Sequence, residues 1–140
     1  MGKQMIEFII EGIPQGKGRP KFSSRGSFVR VYTPKKTADY EKVVREAYGN
    51  RPKCDDVPLK VVIRAYYPIP KSLSKKDLQL ALIGKKLPLV KPDIDNVSKI
   101  ILDSLNDVAY EDDKQVVSLT IEKFYSQAPR VVVSIYEIEL

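Results

Sequence analysis

KPDIDNVSKIILDSLNDVAYEDDKQV, Lys91 to Val116, is the stretch from which the rest of the chain can be ordered. Val97, Ile100, Ile101 and Leu105 recur at i, i+3, i+4 and i+8, which is one apolar stripe of a helix. That spacing predicts a helix from about Asp95 to about Asn106. The period then changes, and QVVSLTIEKFY, from Gln115, is a β-branched and aromatic strand. Carboxylates crowd both ends of the helix. Asp93, Asp95, Asp103, Asp107, Glu111, Asp112 and Asp113 fall within twenty-one positions, against the single cation Lys99.

Working outward, RVVVSIYEIEL from Arg130 reads as a last strand, expected to pair antiparallel with the preceding one around Ser126–Pro129. Upstream, LPLVKP is a linker. Ser74, with Asp77 three residues on, resembles a capping box opening a short helix through Leu82. LKVVIRAYYPI from Leu59 is a strand ended by Pro68 and Pro70. Thr33-Pro34 reads as an N-cap followed by Pro at the first helical position. Tyr40, Val43, Val44, Ala47 and Tyr48 form the apolar face of that helix, and Gly49 closes it. SFVRVYT from Ser27 and IEFIIEGI from Ile6 are two more strands. PQGKGRPKFSSRG between them is rich in Gly, Pro and Ser and reads as a loop. The order ββαβααββ predicts an α+β fold: one compact domain over residues 1–140, with a mixed β-sheet flanked by helices.

Composition narrows the chemistry. There is no histidine and only one cysteine, Cys54. Ser-His-Asp and Cys-His hydrolysis are excluded, as are His- or Cys-rich zinc sites. Cys54 reads as a small hydrophobe that forms no internal disulfide, as expected in a reducing compartment. No run approaches a membrane span of roughly 18 apolar residues, and the N-terminus does not read as a leader, so a cytoplasmic protein is expected. Acid–base work falls to Asp, Glu, Lys, Tyr or a bound cation, and all-oxygen ligands favour Mg²⁺, with Mn²⁺ as substitute. No organic cofactor is implied.

The charge distribution points the same way. The segment Asp93–Asp113 carries a net −6 inside a chain of net +6. A basic body attracts phosphate, and a concentrated acidic spot can hold divalent cations. In an extended segment, i and i+2 face one side, so Asp93 and Asp95 can address one cation. Asn96 adds an amide, and Lys99 lies one helical turn past Asp95, with Asp103 continuing the same face. The strand that follows can return Asp112 or Asp113 to Asp93 and Asp95. Two carboxylates about 5 Å apart repel by roughly 3 kcal/mol at an effective dielectric near 20, so such a cluster either protonates or takes a cation. Spacing alone equally admits a plainer reading. Asp93 and Asp95 are ordinary helix-start residues, Asp112-Asp113 a solvated turn, and Lys99 an i,i+4 partner of Asp95.

The combined pattern resembles the RusA family of Holliday junction resolvases. The matching residues are Asp93-x-Asp95-Asn96, Lys99, the Asp103-Ser104-Leu105 step, and Asp112-Asp113 before Gln115-Val116. GKGRP and VYTPKKT near the N-terminus are also similar, whereas Arg51 to Leu89 adds little. The resemblance implies a homodimeric, Mg²⁺-dependent endonuclease that makes paired symmetric nicks across a four-way DNA junction. It implies Asp93, Asp95 and Asp113 as metal ligands, Asp112 as a further one, and Lys99 as the group that positions water or stabilises charge on the phosphate. A nuclease that also cuts flaps or forks, and a non-catalytic protein that binds branched DNA, are the alternatives.

A basic segment completes the reading. Lys17, Arg19, Lys21, Arg25, Arg30, Lys35 and Lys36 stand between Gln15 and Lys36 with no acid among them. They are the expected DNA contacts, with Gly16, Gly18 and Gly26 letting backbone approach a phosphate. Phe28 is expected in the core, and Phe22 is open to either stacking on bases or packing inside. Tyr66, Tyr67, Tyr110 and Tyr125 are expected to be half-buried structural aromatics.

Overall fold

The computed structural model describes residues 5–25 and 28–140. Alternation buries Ile6, Phe8 and Ile10 of β1 (Met5–Glu11) and Val61, Ile63, Ala65 and Tyr67 of β4 (Leu59–Pro68). With β5 (Val116–Ser126) and β6 (Arg130–Glu137) they form a four-stranded mixed sheet in the order β1-β6-β4-β5. β1 and β4 flank β6 antiparallel, and β4 runs parallel to β5. A second, two-stranded sheet pairs β2 (Lys21–Arg25) with β3 (Phe28–Tyr32). Three helices follow, α1 (Lys35–Tyr48), α2 (Lys75–Leu82) and α3 (Ile94–Ser104). A single 3-10 turn, Asp113–Gln115, precedes β5.

The helices lie where the apolar stripes direct them. Val44 and Tyr48 of α1 and Val97, Ile100 and Ile101 of α3 are fully buried with Phe8, Ile63 and Ile135 in one core. Phe8 meets Tyr48 edge-on at 5.2 Å between ring centroids. Val43, read as part of the α1 apolar face, is 42% exposed and lies at its margin. The capping box expected at α2 is half present, since Ser74 Oγ accepts from the backbone N–H of Asp77 at 3.1 Å. Gly49 ends α1 at φ 62°, where a side chain would be strained.

Three expectations need correcting. Lys21–Arg25 is a strand, not loop, so the order is βββαβααββ. The Gly and Pro residues before it mark the approach, while the strand is specified by pairing with β3. α1 begins one residue late, with Pro34 rather than Thr33 at the N-cap position. β5 and β6 are not neighbours, because β4 lies between them. The more apolar β4 takes the interior, and β5, with Ser118, Thr120 and Glu122, takes the edge. Four residue steps from Ser126 to Arg130 reach about 13 Å, enough to cross two strand spacings of about 4.8 Å each. The parallel β4–β5 pair is reached through α2 and α3, since parallel strands require a crossover. This crossover places the acidic ends of α3.

Candidate active site

Asp93 is the N-cap residue of α3, yet its side chain accepts no cap hydrogen bond. Its carboxylate is exposed and not used for capping. Its backbone is fixed from both sides. The Asp93 carbonyl accepts from Val97 N–H at 3.1 Å, and the preceding Pro92 carbonyl accepts from the hydroxyl of buried Tyr67. Burial first, and then the negative charge of Asp93, push the Tyr67 phenol up to about 12. Asp95 is exposed in the first turn and Lys99 is exposed one turn further on. Among the described residues no carboxylate lies within 4.0 Å of Lys99. The amino end of α3 thus presents Asp93, Asp95 and Lys99 to solvent, where the helix dipole favours anionic groups.

The second acidic group is built around the 3-10 turn. Asp112 caps it, accepting from Lys114 N–H at 2.9 Å. Gln115 uses its whole amide. Oε1 accepts from Glu111 and Asp112 N–H, while Nε2 donates to the carbonyls of Cys54 and Val57 at 2.9 and 3.1 Å. The backbone N–H of Asp113 donates to Asn106 Oδ1 at 2.8 Å, tying the turn to the end of α3. Asp113 itself meets like charge. Burial raises its carboxyl above the usual range, and hydrogen bonds and repulsion from Asp112 and Asp103 raise it further. Asp112, held by Lys114 N–H and then by Asp113, goes the other way. Adjacent Tyr110 is buried, and its phenol is held far above its ordinary value by that burial and by Asp113, Asp103 and Asp112.

The charges that act on the Asp113 carboxyl are therefore those of Asp103 and Asp112. Among the described residues, no three Asp, Glu, Cys or His side chains converge tightly enough to form a metal site. Donor chemistry nonetheless suits a hard cation. Every candidate is an oxygen, Asp93 is not spent on capping, and Asp103 and Asp112 bring like charge to Asp113. Asp93, Asp95, Asp112 and Asp113 have the chemistry of a magnesium site without its converged arrangement.

The basic segment divides in two. Gly16, Lys17 and Gly18 are pinned between α1 and α3. Lys17 N–H donates to the Asn96 carbonyl at 3.0 Å, and Gly18 N–H to Thr37 Oγ1 at 3.0 Å. A Cβ on Gly16 would stand 2.9 Å from Pro92 Cβ and 3.0 Å from Asn96 Cβ. One on Gly18 would stand 2.5 Å from Thr37 Oγ1. Both glycines admit neighbouring helices at close range. Lys17 Nζ pairs with Glu41 at 2.8 Å and Asp103 at 3.4 Å, its side chain 22% exposed. Burial alone would lower its pKa, but Glu41 and then Asp103 hold it above the ordinary lysine value.

Beyond the pinned residues the segment opens. Arg19 and Lys36 are exposed and, with Lys17 of the pinned loop and with Lys91, Asp93 and Asn96, help line a cleft of about 1030 Å³ between the loop and the start of α3. Lys35 is exposed and pairs with Asp39 at 2.9 Å. Lys21, Arg25 and Arg30 lie on β2 and β3, and their side chains, expected as DNA contacts, lie outside the described residues. Phe22, Val29 and Val31 share one face of the pair and are 70%, 68% and 59% exposed. Phe22 is thus outside the core. The side chain of Phe28 and the whole of Gly26 lie outside the described residues. Tyr67 and Tyr110 are fully buried and Tyr66 and Tyr125 half-buried.

Glu41, Asn106 and Gln115 carry parts of this arrangement that sequence reasoning did not assign. Gln115 had a signal, since it closes the D-D-x-Q-V pattern. Glu41 had none, because its partner Lys17 is twenty-four residues away.

The chain is similar to known proteins over nearly its whole length. The family described as endodeoxyribonuclease RusA matches residues 11–136. An uncharacterised protein of Bacillus subtilis (strain 168), YqaN, is 39% identical over 137 residues, covering 95% of this chain and 96% of its own length. The chain belongs to the RusA endodeoxyribonuclease family.

Proposed function

We propose that this RusA-family chain is a Mg²⁺-dependent resolvase that acts on four-way DNA junctions as a homodimer, through residues 1–140 as one nuclease domain in the cytoplasm. The observation that carries the reading is the shared cleft. Asp93 lines the same hollow as Arg19, Lys36 and Lys91, so a phosphodiester held by those cations lies beside the free carboxylate. Asp93, Asp95 and Asp113 are the proposed metal ligands, with Asp112 a further one. Mg²⁺, or Mn²⁺ in its place, supplies Lewis acidity at the scissile phosphate when bound.

The chain's own residues do the remaining work. Lys99, exposed one turn from Asp95, orients water or stabilises charge on the phosphate. Tyr67 holds the Pro92 carbonyl and hence the backbone entry to Asp93. Asn106 and Gln115 fix the backbone that carries Asp112 and Asp113. Lys21, Arg25, Arg30, Lys35 and Lys36 extend the phosphate track beyond Arg19. A four-way junction has approximate two-fold symmetry, so two sites in a C2 dimer fit paired nicks.

The test compares a four-way junction, a flap and a linear duplex of shared sequence, each with Mg²⁺ and with EDTA. Paired symmetric nicks on the junction alone, absent with EDTA, are expected. Equal cutting of flap and junction would show a broader nuclease, and binding without cutting would leave a junction-binding protein.

A further inference from the structure

We propose that Lys17 is a positioning residue of the nuclease site, not a phosphate contact. It ties the loop at Gly16–Gly18 to Glu41 of α1 and Asp103 of α3, and through Asp103 it sets the environment of Asp113. The inference rests on the proposed nuclease function for its catalytic readout alone.

The geometry is specific. Nζ reaches Glu41 at 2.8 Å and Asp103 at 3.4 Å, so the ammonium sits between two helices. Glu41 is only 16% exposed and Asp103 31%, which makes neither a loosely held surface partner. The backbone is equally fixed, with Lys17 N–H on Asn96 and Gly18 N–H on Thr37. Asp103 lies near enough to Asp113 to raise its carboxyl, as Asp112 does. Lys17 is therefore the cation that joins the loop lining the cleft to Glu41 and to the Asp103 end of the second acidic group. Removing it leaves Glu41 and Asp103 as half-buried like charges with Asp113 behind them. The expected responses are separation of α1 from α3 at this level, or withdrawal of Asp103 from Asp113. An ammonium already held by two carboxylates also releases few counterions when DNA binds, so it adds little to the salt dependence of binding.

The experiment uses the full chain and four variants: Lys17→Met, Lys17→Arg, Glu41→Gln and the double variant Lys17→Met/Glu41→Gln. Junction affinity is measured against salt in EDTA, kcat and KM in Mg²⁺, and Tm without DNA. For Lys17→Met the slope of log affinity on log salt should stay at the wild-type value and KM should change less than about two-fold. Misplacement near 1 Å can cost about a hundred-fold, so kcat should fall about ten- to a hundred-fold. Lys17→Arg should recover most of that loss, and the Tm effects of Lys17→Met and Glu41→Gln should be non-additive. A slope reduced by about one with kcat unchanged would mark Lys17 as an ordinary phosphate contact and overturn the proposal. Additive Tm effects would overturn it as well. If the wild type cuts no DNA, the nuclease reading fails, while the salt slope and the Tm cycle still decide the role of Lys17. If Lys17→Met does not fold, Lys17→Arg against Glu41→Gln gives the same decision.

Discussion

Replacing Gly16 by Ala distinguishes the two roles a glycine in the basic loop can have. The new Cβ would meet Pro92 Cβ at 2.9 Å and Asn96 Cβ at 3.0 Å, atoms next to the backbone that cannot swing aside. Either the loop or the start of α3 must shift, which strains the 3.0 Å bond from Lys17 N–H to the Asn96 carbonyl. Overpacking costs about 1–3 kcal/mol and a lost hydrogen bond about 0.5–1.5, while a stiffer unfolded chain returns about 0.4–1. The net is a destabilisation of about 0.5–4 kcal/mol. At roughly 2.1 cal/mol/K of unfolding entropy per residue, that lowers Tm by about 2–14 °C in a chain of this length. Thermal unfolding in EDTA, without DNA, is the assay. A Tm within about 1 °C of wild type, together with lost junction affinity, would refute the packing role and restore the glycine as a phosphate-approach position.

The remaining expectations concern the acidic groups and the core. Asp113→Asn should raise Tm at pH 7 in EDTA while abolishing cleavage. The Asp113 carboxyl is raised in the folded state, so its favourable contribution is present below the ordinary carboxylate pKa and lost as pH rises through the raised value. The gain should therefore shrink in titrations of Tm toward acid, and a variant less stable at pH 7 would contradict the like-charge account. Gln115→Ala removes four hydrogen bonds and should cost about 2–4 kcal/mol by denaturant unfolding, where under 0.5 would show that water replaces them. Ile100→Ala empties a fully buried position on α3 and should cost about 2–5 kcal/mol in the same assay. Mg²⁺ should raise the Tm of the wild type by linkage and leave Asp93→Asn unmoved; equal shifts in both would place the cation elsewhere.

Legibility in the sequence followed the reach of the interaction. α3 was readable because Val97, Ile100 and Ile101 repeat at the helical period over a long window, and all three are fully buried. β1 and β4 were readable because alternation marks their buried faces. The β5–β6 pairing was not. Two strands joined by a short turn suggest a hairpin, and only the apolar demand of the sheet interior places β4 between them. Gly16 and Gly18 show the same limit at the site. Their composition promised close approach to something, and what approaches is the start of α3 and Thr37 of α1. The acidic residues were visible as a charge run, and the metal-binding role proposed for them rests on membership of an endodeoxyribonuclease family. Their division into Asp93 and Asp95 on one side, and Asp103, Asp112 and Asp113 on the other, depends on where the 3-10 turn is tied to Asn106 and Gln115.

The most direct test of the central claim maps nicks on a strand-labelled four-way junction in Mg²⁺ for wild type, Asp93→Asn, Asp113→Asn and Asp107→Asn. Asp107 belongs to the same acidic run but is exposed, and its N–H donates to the Tyr110 carbonyl away from the cleft-lining residues. Paired, symmetric nicks by wild type and Asp107→Asn, with none from Asp93→Asn or Asp113→Asn, are the expected result. Full cleavage by Asp93→Asn or Asp113→Asn would contradict the assignment of the metal-binding carboxylates.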